Sequence, residues 1–218
     1  MSKIEQFGVS FEVVDPASYP FAQYEFTDEH DFKKFWNDLG PDDICLDLGA
    51  SFGGWTMLAL AKGATVTAVE PSPISGAILE ENVRLNHWGR RFTLLKALFW
   101  DSTPVPHDFW QFAVQCFGGS PSVALMQLDD FEGLDKFTRI KFDVEGAELP
   151  IIRGGKKYLA RHKPDLIIED HDNPKLSYTN GLRALVKKEL DALGYNVLEY
   201  YGQNGGNPFL IATHKEKA

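Results

Sequence analysis

Two acids and two glycines at the ends of neighbouring apolar runs are the first residues here that suggest chemistry. Asp47 lies near the end of the run Ile44-Cys45-Leu46-Asp47-Leu48. Gly49 and Gly53 bracket Ala50, Ser51 and Phe52, and Glu70, followed by Pro71, closes the next run from Thr65. A strand, a glycine turn and a helix in succession form the place where open α/β sheets hold nucleotide-type ligands, beyond the carboxyl ends of their strands. Gly49 lets the backbone turn sharply and Gly53 lets the helix start close to the ligand. The spacing is G-x-x-x-G rather than the G-x-G-x-x-G that cradles a pyrophosphate, and this disfavours a nicotinamide dinucleotide. Asp47 also adds negative charge where a diphosphate needs the opposite. An acid ending the second strand can accept hydrogen bonds from both hydroxyls of a ribose. A ribose, a cationic end and no phosphate together describe S-adenosylmethionine. A plainer reading stays open, in which Asp47 caps a helix and Glu70 is a solvated strand end.

A second group follows two later strand-like runs: Asp143, Glu145 and Glu148 after the first, and Glu169, Asp170, His171 and Asp172 after the second. A hydroxyl attacking a sulfonium methyl is helped by losing its proton, so Asp143, Glu145 and His171 are the expected catalytic equipment. Asp143 is expected to border the cofactor as well. His171 is the preferred base because its unperturbed pKa is near neutral. Alternatively, Glu145 and Glu148 serve the N-terminal dipole of the next helix and His171 is an exposed loop residue. The same carboxylates could hold Mg²⁺ or Ca²⁺. No spacing fixes a ligand geometry, so no metal ligand is assigned.

These groups must be positioned by alternating elements. The pattern predicts strands at 44–48, 65–70, 92–98, 139–144 and 165–169. Helices are expected at 54–62, 73–87, 147–161 and from Leu182 to Leu193, with Ile74, Ile78, Leu79 and Val83 as the buried stripe of the second. Such alternation is the signature of βαβ units around a parallel sheet. Residues 1–40 read as an N-terminal elaboration packed on a main domain at 41–218, with an extended piece at Gly8 to Val14 and a helix from about Asp28 to Leu39 carrying Phe32, Phe35, Trp36 and Leu39. Two strand-like runs, Trp110 to Phe117 and Val123 to Leu128, flank Gly118-Gly119-Ser120-Pro121 and suggest a hairpin. The aromatic stretch 99–123, with Trp100, Phe109, Trp110, Phe112 and Phe117, suits a wall or lid for an apolar or sugar-like substrate. It equally suits aromatics packed onto the sheet. Tyr195 to Tyr201 and Pro208 to Thr213, joined by a Gly/Asn-rich segment, predict an antiparallel hairpin at the end of the chain.

Composition narrows the class. The 218 residues are 44% hydrophobic and 24% charged with two cysteines, which excludes disordered and disulfide-scaffold chains. Cys45 and Cys116 read as buried thiols of a reducing, cytoplasmic setting. The first residues, MSKIEQFGVSFEVVD, lack the apolar core of a signal peptide, and no apolar run is long enough to span a membrane. A net charge of −9 weighs against nucleic acid and anionic membranes as partners, and favours a small neutral or cationic substrate.

The segments DICLDLGASFGGWT, VEPSP, KFDVEGAELPIIRGGKKYL and DLIIEDH resemble the FkbM family of S-adenosylmethionine-dependent methyltransferases, with DVEGAE the most specific part and the likeness covering roughly residues 40 to 213. The resemblance implies an α/β, Rossmann-like class I methyltransferase fold: a mostly parallel seven-stranded sheet with an antiparallel C-terminal hairpin. It implies Asp47, Gly49 and Gly53 on the methionine side, Glu70 on the ribose, and Ala97 and Leu98 beside the adenine. It also implies O-methylation of a small-molecule or glycan hydroxyl. Phe99-Trp100 and Gly154-Gly155 depart from the family's usual pattern. A nucleic-acid methyltransferase is the alternative sharing the cofactor, but N-P-P-[YF] and a Pro-Cys pair are both missing from the sequence. A noncatalytic cofactor-binding protein is the other.

Overall fold

The computed structural model describes residues 2–6, 8–14, 35, 37–117, 123–131, 136–172, 179–201 and 208–217. It opens with β1 (Ser2–Gln6) and β2 (Val9–Val13), an antiparallel hairpin of which the sequence pattern shows only the second arm. The helix expected over 28–39 falls mostly outside the described residues; Phe35 and Leu39 are described and buried. Next come β3 (Ile44–Leu48), α1 (Gly54–Ala61), β4 (Thr65–Val69), α2 (Pro73–Leu85), β5 (Phe92–Leu95) and β6 (Ala97–Phe99). They are followed by α3 (His107–Phe117), β7 (Ala124–Met126), β8 (Arg139–Phe142), α4 (Glu148–Arg153), α5 (Lys156–His162) and β9 (Asp165–Glu169). The described chain ends with α6 (Leu182–Ala192), β10 (Tyr195–Tyr200) and β11 (Phe209–His214).

Seven strands form one sheet in the order β10-β11-β9-β8-β3-β4-β5. The pairs β9-β8, β8-β3, β3-β4 and β4-β5 are parallel, whereas β11 runs antiparallel to both neighbours. Both faces are covered, so the central strands bury apolar residues on both sides, with Asp47, Arg139 and Lys141 as charged exceptions that are paired. Leu46 and Leu48 face a core built with Ile140, Phe142, Leu166 and Ile168 and with the apolar sides of α4, α5 and α6. Cys45, Val66, Ala68 and Ile167 face the opposite core, against α1, α2 and β2. The helix α1 is buried along nearly its whole length, as its sequence, apolar but for Thr56, requires. Ser72 caps α2 by accepting the Ser75 N–H, with Pro73 in its first turn.

Several expectations are corrected. Residues 110–117, read as a strand, belong to α3, and β7 pairs in parallel with β6 instead of forming a hairpin with them. The run 92–98 divides into β5 and β6, of which only β5 joins the main sheet. The helix expected over 147–161 is two helices meeting at Gly154-Gly155. A Cβ there would lie 2.8 Å from the Trp100 carbonyl oxygen or 2.7 Å from the Leu128 side chain, so only glycines allow this approach. The buried stripe of α2 is Gly76, Leu79, Asn82 and Val83, leaving Ile74 exposed. Asn82 and Asn86 turn the helix because they hydrogen-bond the hairpin: Asn82 Oδ1 accepts Val14 N–H, while Asn86 accepts Glu12 N–H and donates to the Glu12 carbonyl.

Candidate active site

The order of the sheet reverses between β3 and β8: the chain leaves β3 toward one face and β8 toward the other, opening a crevice beyond their carboxyl ends. Two stretches of backbone meet there. Gly49 has φ +76, and a Cβ on it would fall 1.8 Å from the Asp143 carbonyl oxygen. Its N–H and that of Ala50 both donate to the Val69 carbonyl at 3.0 Å, tying the turn to β4. Gly53, at φ +96, caps α1, and a Cβ there would lie 2.2 Å from Leu79 Cδ1. Ser51, between them, is also left-handed at φ +49.

Glu70 is buried at the end of β4. Ser51 N–H donates to Oε2 and Ser72 N–H to Oε1, each at 2.7 Å. Burial raises its carboxyl above the ordinary range, opposed by these two donors. Each carboxylate oxygen keeps a further lone pair. Ala97 and Leu98 follow β5 directly, beside the strand end where Glu70 N–H bonds the Leu95 carbonyl.

Asp47 is not at the surface of the turn but sealed beneath it. It accepts Thr56 Oγ1–H at 2.6 Å and the Lys141 ammonium at 3.2 Å. A fully buried carboxylate has to be paired, so the negative charge read as facing a cationic ligand is met inside the protein. Lys141, which sequence reasoning passed over, also reaches the Gly49 carbonyl at 3.2 Å and Asp143 Oδ2 at 3.3 Å. Burial opposes its charge, but Asp143, Asp47 and Glu169 outweigh burial and hold the lysine pKa above its ordinary value. A signal was present. Arg139 and Lys141 alternate with Ile140 and Phe142 in a central strand, and such bases need acids beside them, supplied by Asp47 on β3 and Asp43 just before it.

The second group converges on His171. Its Nδ1 lies 2.6 Å from Oε1 of Glu148, a buried residue that also accepts Gly146 N–H. Its Nε2 lies 3.6 Å from Glu145, 3.8 Å from Asp143 and 4.0 Å from Glu169. Burial would depress the imidazole, yet the hydrogen bond to Glu148 and the charges of Glu148, Glu169 and Glu145 push its pKa up to about 10. These neighbours favour the protonated imidazole over the neutral form that a base requires. Glu145 sits at φ +55, and burial raises its carboxyl. The ligand atoms of Asp143, Glu145 and His171 lie within 4.8 Å of one another. Asp170, one residue away, is instead engaged by Arg183, and Asp172 accepts the Gly181 and Arg183 N–H groups where α6 begins. In the aromatic stretch, Trp100 and Phe109 are buried against each other, while Trp110 is partly buried on the same core. The side chains of Phe112 and Phe117 and residues 118–122 lie outside the described residues.

A sheet with one reversed strand, a glycine turn and an acid at the first two strand ends defines a Rossmann-like class I methyltransferase fold. Residues 47–197 match the model of the methyltransferase FkbM domain, and the chain belongs to that family. The FkbM methyltransferase from Methylobacillus flagellatus KT is similar in structure, with a TM-score of 0.60 and 21% identity over 83% of this chain and 46% of that one. This chain thus spans less than half of that protein's length. The O-methyltransferase from Bacillus cereus in complex with SAH is similar at a TM-score of 0.52 and 17% identity, over 79% of this chain and 74% of that one. Precorrin-6y C5,15-methyltransferase from Geobacter metallireducens GS-15 is similar at 0.52 and 14%, over 87% and 92%. No curated protein matches the sequence.

S-adenosylmethionine is the cofactor that goes with this fold, and the residues present fit it. Gly49 keeps a side chain out of the place where the turn meets the Asp143 backbone, no phosphate-binding loop is present among the described residues, and Glu70 keeps acceptor capacity on both oxygens. Among the described residues no helix is long and apolar enough to cross a membrane.

Proposed function

We propose that the protein transfers a methyl group from S-adenosylmethionine to a hydroxyl of a small molecule or glycan in the cytoplasm. The observation that carries this reading is adjacency: β8 pairs with β3 on one side and β9 on the other, so the acid–histidine group lies beside the glycine turn. When bound, the cofactor supplies an electrophilic methyl on a sulfonium sulfur. Glu70 holds the ribose hydroxyls through its spare lone pairs. The turn Gly49, Ala50, Ser51, Phe52 and Gly53 borders the methionine part, and Pro71, Ala97 and Leu98 border the adenine. Asp47 acts from below, through Lys141 and Thr56. Asp143 joins the two halves, with Oδ2 on Lys141 and Oδ1 facing His171. Asp143, Glu145 and His171 surround the acceptor and manage its proton, which a hydroxyl must lose as the new C–O bond forms. The acidic chain favours a neutral or cationic acceptor over a polyanion such as nucleic acid.

Methyl-labelled S-adenosylmethionine, offered with panels of hydroxylated metabolites, oligosaccharides, amines and an RNA control, tests the proposal. Label appearing as a base-stable methyl ether supports it. Label on amines or RNA alone, or on nothing while the cofactor still binds, rejects hydroxyl methylation.

A further inference from the structure

We propose that the cluster beyond β8 and β9 binds one divalent cation of the Mn²⁺ or Zn²⁺ type, through His171 Nε2 and the carboxylates of Asp143 and Glu145, with Glu169 alongside. The imidazole, not the acidic residues, carries the argument. Its side chain is 9% exposed, and Nδ1 is fixed at 2.6 Å by Glu148, so Nε2 has one direction in which to point. In that direction stand three carboxylate oxygens from separate positions, at 3.6, 3.8 and 4.0 Å. None is a hydrogen bond; a charge-assisted pair closes to roughly 2.7–2.9 Å. Nε2 thus makes no hydrogen bond to any of these three carboxylates. An imidazolium attracted to these acids alone would close onto one of them. Standing off from three is the arrangement of ligands around a common centre, each about 2.0–2.2 Å from an ion.

The surroundings suit an ion. Metal-bound histidines characteristically hand their other ring N–H to a carboxylate, the place Glu148 occupies, and Glu148 Oε2 is itself buried without a partner. Lys141 faces the cluster from β8, but it engages Asp143 Oδ2 and leaves Oδ1 toward His171. One imidazole among carboxylates suits Mn²⁺ or Zn²⁺ better than the all-oxygen sets taken by Mg²⁺ and Ca²⁺. The use of the ion, though not its binding, rests on the methyl-transfer reading: beside the acceptor it would lower the pKa of a coordinated hydroxyl.

The test therefore reads binding without turnover. The full chain, stripped with EDTA and dialysed, is titrated with Mn²⁺ while the free-ion electron paramagnetic resonance signal is followed, and with Zn²⁺ by calorimetry, with neither cofactor nor acceptor present. One ion per chain is expected. His171→Ala and Glu145→Gln should each weaken binding at least tenfold, with circular dichroism as the check on folding. If His171→Ala fails to fold, Glu145→Gln decides, because that side chain is 42% exposed and its amide keeps the same shape. Absence of stoichiometric binding of both ions, or unchanged affinity in the folded variants, overturns the site. Ion binding without methyl transfer to any hydroxyl would sink the functional reading and leave the site standing.

Discussion

Lys141 directs its ammonium at three acceptors, Asp47 Oδ1, the Gly49 carbonyl and Asp143 Oδ2, and so ties β3, the glycine turn and β8 together. Removing one partner of a buried pair costs roughly 3–5 kcal/mol, so Lys141→Met should lower the unfolding free energy by about that amount at pH 8, read by urea denaturation. The sign with pH follows from the raised lysine pKa. Its contribution is whole below the ordinary value of 10.5 and declines as pH rises beyond it, so wild type and variant should converge in strong alkali. A difference that persists unchanged there would mean that the charge is not what matters. Glu70 behaves oppositely. Its carboxyl is raised by burial, and only the ionised form offers both oxygens to a ribose. S-adenosylhomocysteine affinity should therefore fall as pH is lowered through the range in which this raised carboxyl takes up its proton, whereas Glu70→Gln should bind weakly with a flat profile, as calorimetry would show. A flat wild-type profile rejects the ribose assignment. At this scale the sequence exposes the acids of the strand ends but not their partners. That Lys141 neutralises Asp47, or that Glu148 sets the His171 ring, depends on the register of β3 against β8 and on how the loop after β9 folds back.

The helix α2 connects two parts of the molecule that look independent in sequence. Asn82, buried, accepts Val14 N–H from the strand edge at 2.9 Å and donates to the Phe52 carbonyl at 3.1 Å, while the Asn86 side chain, among the described residues, pairs with the hairpin and with the Asn82 carbonyl. Both alanine variants should lose about 1–3 kcal/mol of stability. Asn82→Ala alone should also weaken S-adenosylhomocysteine binding severalfold, because Phe52 stands in the turn assigned to the cofactor. Equal effects of the two variants on binding would reduce Asn82 to a structural role. The strands β3 and β9 were legible to the residue because each is a short apolar run bounded by turn signals. The helix α3 was not. Trp110, Phe112, Val114 and Cys116 alternate as a strand would, while Phe109, Phe112, Ala113 and Cys116 fit helical spacing, and a single short segment cannot decide between periods. The break between α4 and α5 depends on Trp100 and Leu128 pressing on Gly154 and Gly155, contacts distant in sequence.

For the molecule as a whole, the sheet is held from both faces, and the crevice lies where its two halves diverge, so a ligand there bridges β3, β4 and β8 at once. Binding of that kind is available to the folded chain and lost on unfolding, which makes it a stability term. At a ligand concentration about a hundredfold above Kd, the gain is about 2.7 kcal/mol. For a chain of this size each kcal/mol moves Tm by roughly 2–4 °C, so saturating S-adenosylhomocysteine should raise Tm by about 5–10 °C. The shift should grow with the logarithm of ligand concentration. ATP and NAD⁺ should produce little, because the turn from Gly49 to Gly53 has the spacing G-x-x-x-G rather than that of a pyrophosphate loop. Glu70→Ala should shrink the S-adenosylhomocysteine shift at every concentration, measured from its own ligand-free Tm, which itself falls because the Ser51 and Ser72 N–H groups lose their acceptor. Differential scanning fluorimetry across a concentration series separates the cases. A shift of the same size in wild type and Glu70→Ala would move the cofactor away from the end of β4, and a larger response to ATP than to S-adenosylhomocysteine would overturn the assignment of the crevice.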